Sequence, residues 1–395
     1  MKQSTSPVSP SCLNLKRMKA HFLEIVQIDS LSKKERAVAL VLQKQLEEIG
    51  ARVTYDDAGE AIGGEIGNMI ARLPATVPER PPLLLSAHMD TVVPGEGIKP
   101  ICDGDIIRSD GTTILGGDDK SGIAIIMEVL RTLTENKIPH GEIEVVLTVC
   151  EEYGLVGVKH LDISQLNSKS GIVLDCDHAE FLFTRAPASD RLEFTVHGIA
   201  AHAGVCPEEG ISAIQIAADA ISRMPLGRID SETTANIGVI EGGAAVNIVP
   251  KTVFVKAESR SRNREKLTAQ TERMRACFQE ALQKFSTEIK GERVSGRVEE
   301  NIWRDYNAIN VPESAPIVCA VLQAAKKCGY NVKTNATGGG CDANILNEKG
   351  ITVPNLGTGM HQIHTVREWV SLSEMSQTAH VVFEVLKTFG GKCSA

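Results

Sequence analysis

Short apolar runs alternate with helix-like segments along most of this chain, and that alternation limits the fold more than any other feature. Leu83-Leu84-Leu85-Ser86 follows a double proline, Ile143-Glu144-Val145-Val146-Leu147-Thr148-Val149 reads as a strong strand, and Ile172-Val173-Leu174 as another. Between the first two, Ile123, Ile126, Met127 and Leu130 fall on one helical face. Strands this apolar are covered on both faces, which implies an α/β domain whose central strands are largely parallel. Upstream, Met18, Phe22, Ile25 and Val26 predict one amphipathic helix. Val38, Val41, Leu42, Leu46 and Ile49 predict a second, with Gly50 as its stop. Residues 1–12, rich in Ser and Pro, predict a disordered or loosely packed tail.

Near residue 187 the pattern changes. Leu192, Phe194 and Val196 alternate as in a half-exposed strand. A helix over about 211–224, strands near 234–241 and 251–258, a long charged helix over about 263–287 and a strand near 293–302 follow. The order β-α-β-β-α-β is that of a ferredoxin-like unit. Past about residue 306 the α/β pattern resumes, with a helix over about 315–327, a Gly-rich turn and a strand at Ile351-Thr352-Val353. The expected organisation is a discontinuous catalytic domain (13–186 and 306–395) interrupted by an inserted domain (187–305). A chain of 395 residues with 42% hydrophobic content can build both cores.

The bulk properties exclude several classes. A net charge of -8, with no long Lys/Arg run, argues against a nucleic-acid binder. No stretch is apolar for long enough to cross a membrane, and the polar start Met1-Lys2-Gln3-Ser4 lacks the apolar core of a signal peptide. A cytoplasmic location is therefore expected. The ten cysteines are scattered without CxxC spacing, so buried free thiols are expected.

The polar residues at the ends of the apolar runs carry the chemistry. His88 and Asp90 are two apart at a strand end, so their side chains point the same way. An imidazole there can bind a metal while a carboxylate holds its other ring nitrogen. Asp118 and Asp119 follow Gly116-Gly117 at a helix mouth. Capping would explain one acid there, but two adjacent acids repel unless a cation is present. Glu151 and Glu152 follow the strongest strand; one could bind metal while the other takes a proton from water. Asp175 ends the next run, and a Gly-rich loop offers His361 and His364. Each motif is weak alone. Together they place acids and histidines after four strand-like runs and a helix start, which fits a pair of divalent ions.

The set Ala87-His88-Met89-Asp90-Thr91-Val92, Gly117-Asp118-Asp119-Lys120-Ser121-Gly122, Glu151-Glu152 and His364 resembles the di-zinc hydrolases of the peptidase T, carboxypeptidase G and acetylornithine deacetylase superfamily, the peptidase T-like branch most. The resemblance runs from about residue 18 to the C-terminus and implies a mostly parallel catalytic domain with an inserted ferredoxin-like lid and dimerisation domain.

It also implies roles. His88 and Asp175 would bind the first metal, with Asp90 orienting His88. Asp118 would bridge both metals, and Asp119 would follow it across what is often a cis peptide. Glu152 and His364 would complete the second site, with Glu151 as general base; His361 does not fit the ligand slot. His202, in Gly198-Ile199-Ala200-Ala201-His202-Ala203-Gly204, resembles the residue that polarises the scissile carbonyl, often across a dimer. Asn247 and Arg260 match substrate-binding positions. Gly339 and Asp342 lie in the segment Gly338-Gly339-Gly340-Cys341-Asp342, which resembles a loop holding the substrate's carboxylate, although most relatives have Ser where Cys341 stands.

The expectation is a homodimeric, metal-dependent peptidase of short peptides. Zinc is the expected ion, with manganese or cobalt also suited to oxygen-rich ligands. A deacylase of N-acyl amino acids would share the same catalytic residues. A non-catalytic binding protein on this fold would be expected to have lost Glu151 or a ligand, and none is missing.

Overall fold

A computed structural model describes residues 12–289 and 291–391; the expected tail, up to residue 11, and Cys393 lie outside the described residues. The chain divides into two compact units. One gathers the residues up to Arg185, Asn310–Thr337 and those from Cys341 onward; the other comprises Ala186–Ile309 with Gly338–Gly340. The three glycines expected to travel with the catalytic domain thus cluster with the inserted unit.

The larger unit is built on a mixed sheet. In spatial order its strands are Arg52–Tyr55, Met69–Leu73, Ile143–Thr148, Leu83–His88, Gly171–Val173, Asn355–Leu356 and Phe181–Ala186, with Lys333–Ala336 beside the last. Leu83–His88 pairs in parallel with both of its neighbours. All six of its residues are buried, as are all six of Ile143–Thr148. The parallel reading therefore holds at the centre. The Arg52–Tyr55 and Met69–Leu73 strands run antiparallel, as does the pairing of Asn355–Leu356 with Phe181–Ala186.

The helix Gly117–Glu135 buries Ile123, Ile126 and Leu130 completely. Helix Leu15–Val26 docks against it through Arg17, whose Nε donates to the buried Glu128 carboxylate at 2.7 Å. Helix Arg36–Ile49 ends at Gly50 in the left-handed conformation (φ 97°), as its sequence predicts.

One predicted strand is displaced. Of Ile351-Thr352-Val353, only Thr352 forms a bridge, to Ser170, and the strand proper is Asn355–Leu356. Thr352 both donates to Lys169 O (3.0 Å) and accepts from the Gly171 N–H (3.1 Å), whereas Pro354, with no N–H to give a ladder, only accepts, from the Val173 N–H at 3.1 Å. A small antiparallel sheet of Met360–His361, Trp369–Ser371, Ile106–Arg108 and Ile101–Asp103 lay below the resolution of periodicity, because two or three residues carry no measurable period.

The second unit is a five-stranded antiparallel sheet in the order Gly227–Arg228, Thr233–Gly242, Thr252–Ser261, Ala188–His197 and Arg297–Tyr306. Helices Ala213–Ser222 and Arg264–Lys284 pack on one face. Their core contains Leu192, Phe194, Val196, Ile216, Val255, Met274 and Phe278. The Phe194 and Phe278 rings lie 4.2 Å apart, fixing the long helix to the sheet. That helix stops at Lys284, three residues earlier than expected, and Ser286–Ile289 starts a hairpin.

Candidate metal centre

His88 ends its strand with the ring 1% exposed. Its Nδ1 lies 2.9 Å from the Asp90 carbonyl oxygen, which can only accept. The ring proton therefore sits on Nδ1, and Nε2 faces Asp118 Oδ1 at 3.1 Å and Asp175 Oδ1 at 3.8 Å. This is the orientation a metal-binding imidazole needs. On the other side, His364 Nε2 stands 2.9 Å from Glu152 Oε1 and 3.1 Å from Asp118 Oδ2. Asp118 is shared by two groups of convergent donors, His88/Asp118/Asp175 and Asp118/Glu152/His364, facing His88 with Oδ1 and His364 with Oδ2, and a further group joins His88, Glu151 and Glu152. His364 holds a left-handed backbone (φ 60°), which for a residue other than glycine is strain kept at a candidate donor position.

Asp90 ties the two halves together. Its Oδ1 accepts the Glu151 N–H at 2.9 Å, its Oδ2 accepts the Glu152 N–H at 3.2 Å, and the Ser32 hydroxyl donates to Oδ2 at 2.6 Å. One buried carboxylate thus orients the glutamate pair and also lies 3.4 Å from His88 Nδ1. Asp119 follows Asp118 across a cis peptide and takes no place in either donor group. Its oxygens accept the His88 and Gly122 N–H groups, so it fixes the helix mouth to the strand end.

The Gly-Gly-Asp-Asp-Lys-Ser-Gly spacing has a steric reason. A Cβ on Gly117 would lie 2.4 Å from a Val370 methyl, and one on Gly122 2.1 Å from the Leu174 carbonyl oxygen. Only glycine lets the helix start approach both the sheet and the His364 loop this closely.

The electrostatics fit cations. Burial, together with neighbouring negative charge, drives Asp175 and Glu151 well above the usual carboxylate range and raises Glu152. The His364 imidazole is pushed up to about 10 by Asp118 and Glu152. Burial works against protonation of His88, but Asp118 and Asp90 outweigh it and raise its pKa. For Asp118 burial acts upward, and the two histidines overcome it to hold its carboxyl below the ordinary value. Protons on imidazoles are standing in for positive charge that this crowd of carboxylates requires. Mixed nitrogen and oxygen donors in two groups with a shared carboxylate fit a pair of divalent ions.

Sequence reasoning missed several supports. Glu368, 1% exposed, accepts the N–H groups of Leu115 (2.7 Å) and Gly116 (2.9 Å) on Oε2 and of Asp118 (3.0 Å) on Oε1. Asn355 accepts the Asp175 N–H, donates to the Asp175 carbonyl and also donates to Cys341 Sγ at 3.2 Å. Cys341 caps helix Asp342–Glu348 in a reciprocal box with Asn344, a task a serine hydroxyl also performs. Nothing local marks Glu368 or Asn355, whose partners at the centre, Leu115 to Asp118 and Asp175, lie about 180 to 250 residues away.

The other expected site residues take no place in these donor groups. Asp342 is buried, and its Oδ2 accepts the Thr148 hydroxyl at 2.5 Å while Oδ1 has no hydrogen-bond partner. His202, Asn247, Arg260 and Gly339 belong to the second unit. His202 is exposed, and its Nδ1 accepts the Gly204 N–H at 3.2 Å, which leaves Nε2 to carry the proton in the neutral ring. Asn247 is exposed on a loop. Arg260 is three-quarters covered and bonds Glu258 at 3.0 Å. His361 stands outside the dinuclear groups.

The chain is similar to several known proteins. Residues 188–286 match the peptidase dimerisation domain, and residues 68–192 match peptidase family M28. Aminopeptidase PepT of Bacillus cereus is 41% identical, with 95% of this chain and 99% of that chain covered and a TM-score of 0.84. A tripeptidase of Staphylococcus aureus is 36% identical, covering 96% and 100% of the two chains with a TM-score of 0.88. The chain belongs to the peptidase T family. A curated peptidase T of Vibrio cholerae is 26% identical over 425 residues, covering 94% of this chain and 98% of its own. The M28 match covers the stretch carrying His88, Asp118, the glutamate pair and Asp175, and ends in the first strand of the second unit.

Proposed function

We propose that this metallopeptidase hydrolyses short peptides in the manner of a tripeptide aminopeptidase, with His88, Asp118 and Asp175 holding one divalent ion and Asp118, Glu152 and His364 the other. The observation that carries the reading is the single carboxylate of Asp118, presenting one oxygen to each histidine-containing group, with Glu151 beside it. Ions bound there, zinc above all and manganese or cobalt as substitutes, would supply Lewis acidity and bring the pKa of a water between them towards neutrality.

The chain's own residues do the rest. Glu151, 8% exposed and backed by Asp90 through its N–H, takes the proton of the attacking water and returns it to the leaving amine. His202 donates from Nε2 to the carbonyl oxygen as negative charge develops there. Asn247, Arg260 and Gly339 are assigned to substrate binding. Asp342 is also assigned to substrate binding, with its unpartnered Oδ1 as the group available. The match to a dimerisation domain supports a homodimer. Among the described residues no helix is long and apolar enough to cross a membrane, in keeping with a cytoplasmic enzyme.

The test is Glu151→Gln. Tripeptide hydrolysis should fall by about 10²- to 10⁴-fold, the usual worth of a general base, while metal content by elemental analysis stays at the wild-type value. Near-normal turnover would remove Glu151 from this role. A metal-replete wild-type chain that cleaves acyl-amino acids but no peptide would move the assignment to a deacylase.

A further inference from the structure

A second gathering of metal-type donors lies apart from the dinuclear groups. His178, His361 and Glu374 each offer a ligand atom, and these atoms lie within 4.8 Å of one another. They come from three places in the larger unit: the loop after strand Gly171–Val173, the strand Met360–His361 and the first turn of helix Leu372–Thr388. Backbone pairing brings the first two together, since Asp177 forms a parallel bridge with Met360 and the Thr358 N–H donates to Cys176 O at 2.8 Å.

Each donor is held from outside the cluster. The His361 ring is stacked on Trp369 at 3.9 Å and 17°, which points its Nε2 at Glu374 Oε1, 3.1 Å away. The other Glu374 oxygen accepts the Ala179 N–H at 3.1 Å, and Ser371 caps the helix by accepting the Glu374 N–H. The His178 ring packs edge-on to both His361 (4.7 Å, 76°) and Phe181 (6.3 Å, 80°), with Asp177 Oδ2 3.6 Å from its Nε2. A simple ion pair would need only His361 and Glu374. The third donor, the fixed ring planes and the exposed approach through His178, whose side chain is 47% exposed, are what an ion with water-filled positions requires.

We propose that His178, His361 and Glu374 form a third divalent-cation site, suited by two imidazoles and one carboxylate to zinc or a similar transition ion. An ion there fastens the loop that carries Asp175, three residues before His178, to the loop that carries His364, three residues after His361.

The experiment is equilibrium dialysis of the full-length chain against buffered Zn²⁺ followed by elemental analysis, comparing wild type with His178→Asn and Glu374→Gln. Asparagine tolerates the left-handed backbone at 178 (φ 48°), and glutamine keeps an acceptor for the Ala179 N–H. Circular dichroism confirms that each variant is folded. Both variants should hold one zinc fewer per chain than wild type. Equal zinc in all three proteins would overturn the proposal and leave an ion pair with a neighbouring histidine. The readout is a difference, so it is independent of the dinuclear reading. Loss of one ion in the variants from a wild type that binds only one would refute the dinuclear centre and sustain this site.

Discussion

Glu368 gives the sharpest test of how the centre is held. Its carboxylate accepts three backbone N–H groups, from Leu115, Gly116 and Asp118, and the last of these belongs to the residue proposed to be shared by both ions. Burial pushes the Glu368 carboxyl up to about 7, with the three N–H donors pulling the other way, so it is ionised at pH 8. Glu368→Gln keeps the shape but turns one acceptor into an NH₂ group. If the remaining oxygen serves Leu115 and Gly116, the Asp118 N–H faces another donor. A hydrogen bond to a charged group contributes about 1.5–3 kcal/mol. Loss of one such bond at Asp118 would weaken metal binding by about 10- to 150-fold, which is close to the usual effect of removing a residue behind a ligand. Zinc affinity is to be measured at pH 8 by competition with a chromogenic chelator, with thermal unfolding of the metal-free protein alongside. An affinity within about twofold of wild type in a folded variant would refute the reasoning, and a loss confined to metal-free stability would show that Glu368 serves folding alone.

Four further outcomes are expected. Loading the metal-free protein with zinc at pH 7 should release protons, since His364 is raised to about 10 and His88 lies above its ordinary value. Affinity should therefore climb as pH rises towards the His364 value, and calorimetry in buffers of different ionisation heat should register the release; none would be incompatible with histidine protons holding the ions' places. Asp90→Asn should lower kcat/KM by about 10- to 100-fold, because the amide cannot accept both glutamate N–H groups and the Ser32 hydroxyl; an unchanged value would sever Asp90 from the positioning of Glu151. Gly122→Ala should abolish metal binding or soluble expression, given a Cβ 2.1 Å from the Leu174 oxygen, and a fully active variant would contradict the packing. Phe278→Ala should cost about 3–5 kcal/mol of stability by denaturant titration, since Phe278 is fully buried against Phe194; a loss below about 1 kcal/mol would mean this core is loosely packed.

Much of the molecule was legible in the amino-acid sequence because much of it is local. Leu83–His88 and Ile143–Thr148 are strands because their runs are apolar throughout, and the two N-terminal helices end and face as their periodicity dictates. His88, Asp118, Glu151, Glu152 and Asp175 stood out because each closes or opens such an element, where a sheet delivers its side chains to one edge. The tertiary structure decided what those residues share. That Asp118 gives one oxygen to each side, that Asp90 holds the backbone of both glutamates, and that Glu368 and Asn355 clamp the segments of Asp118 and Asp175 all depend on contacts between residues dozens to hundreds of positions apart. The displaced strand near Pro354 and the pairing of His178 with His361 have the same origin. Periodicity encodes which face of an element is buried, but the partner that a carboxylate or imidazole meets is set by the packing of elements remote in sequence, and no local pattern carries it.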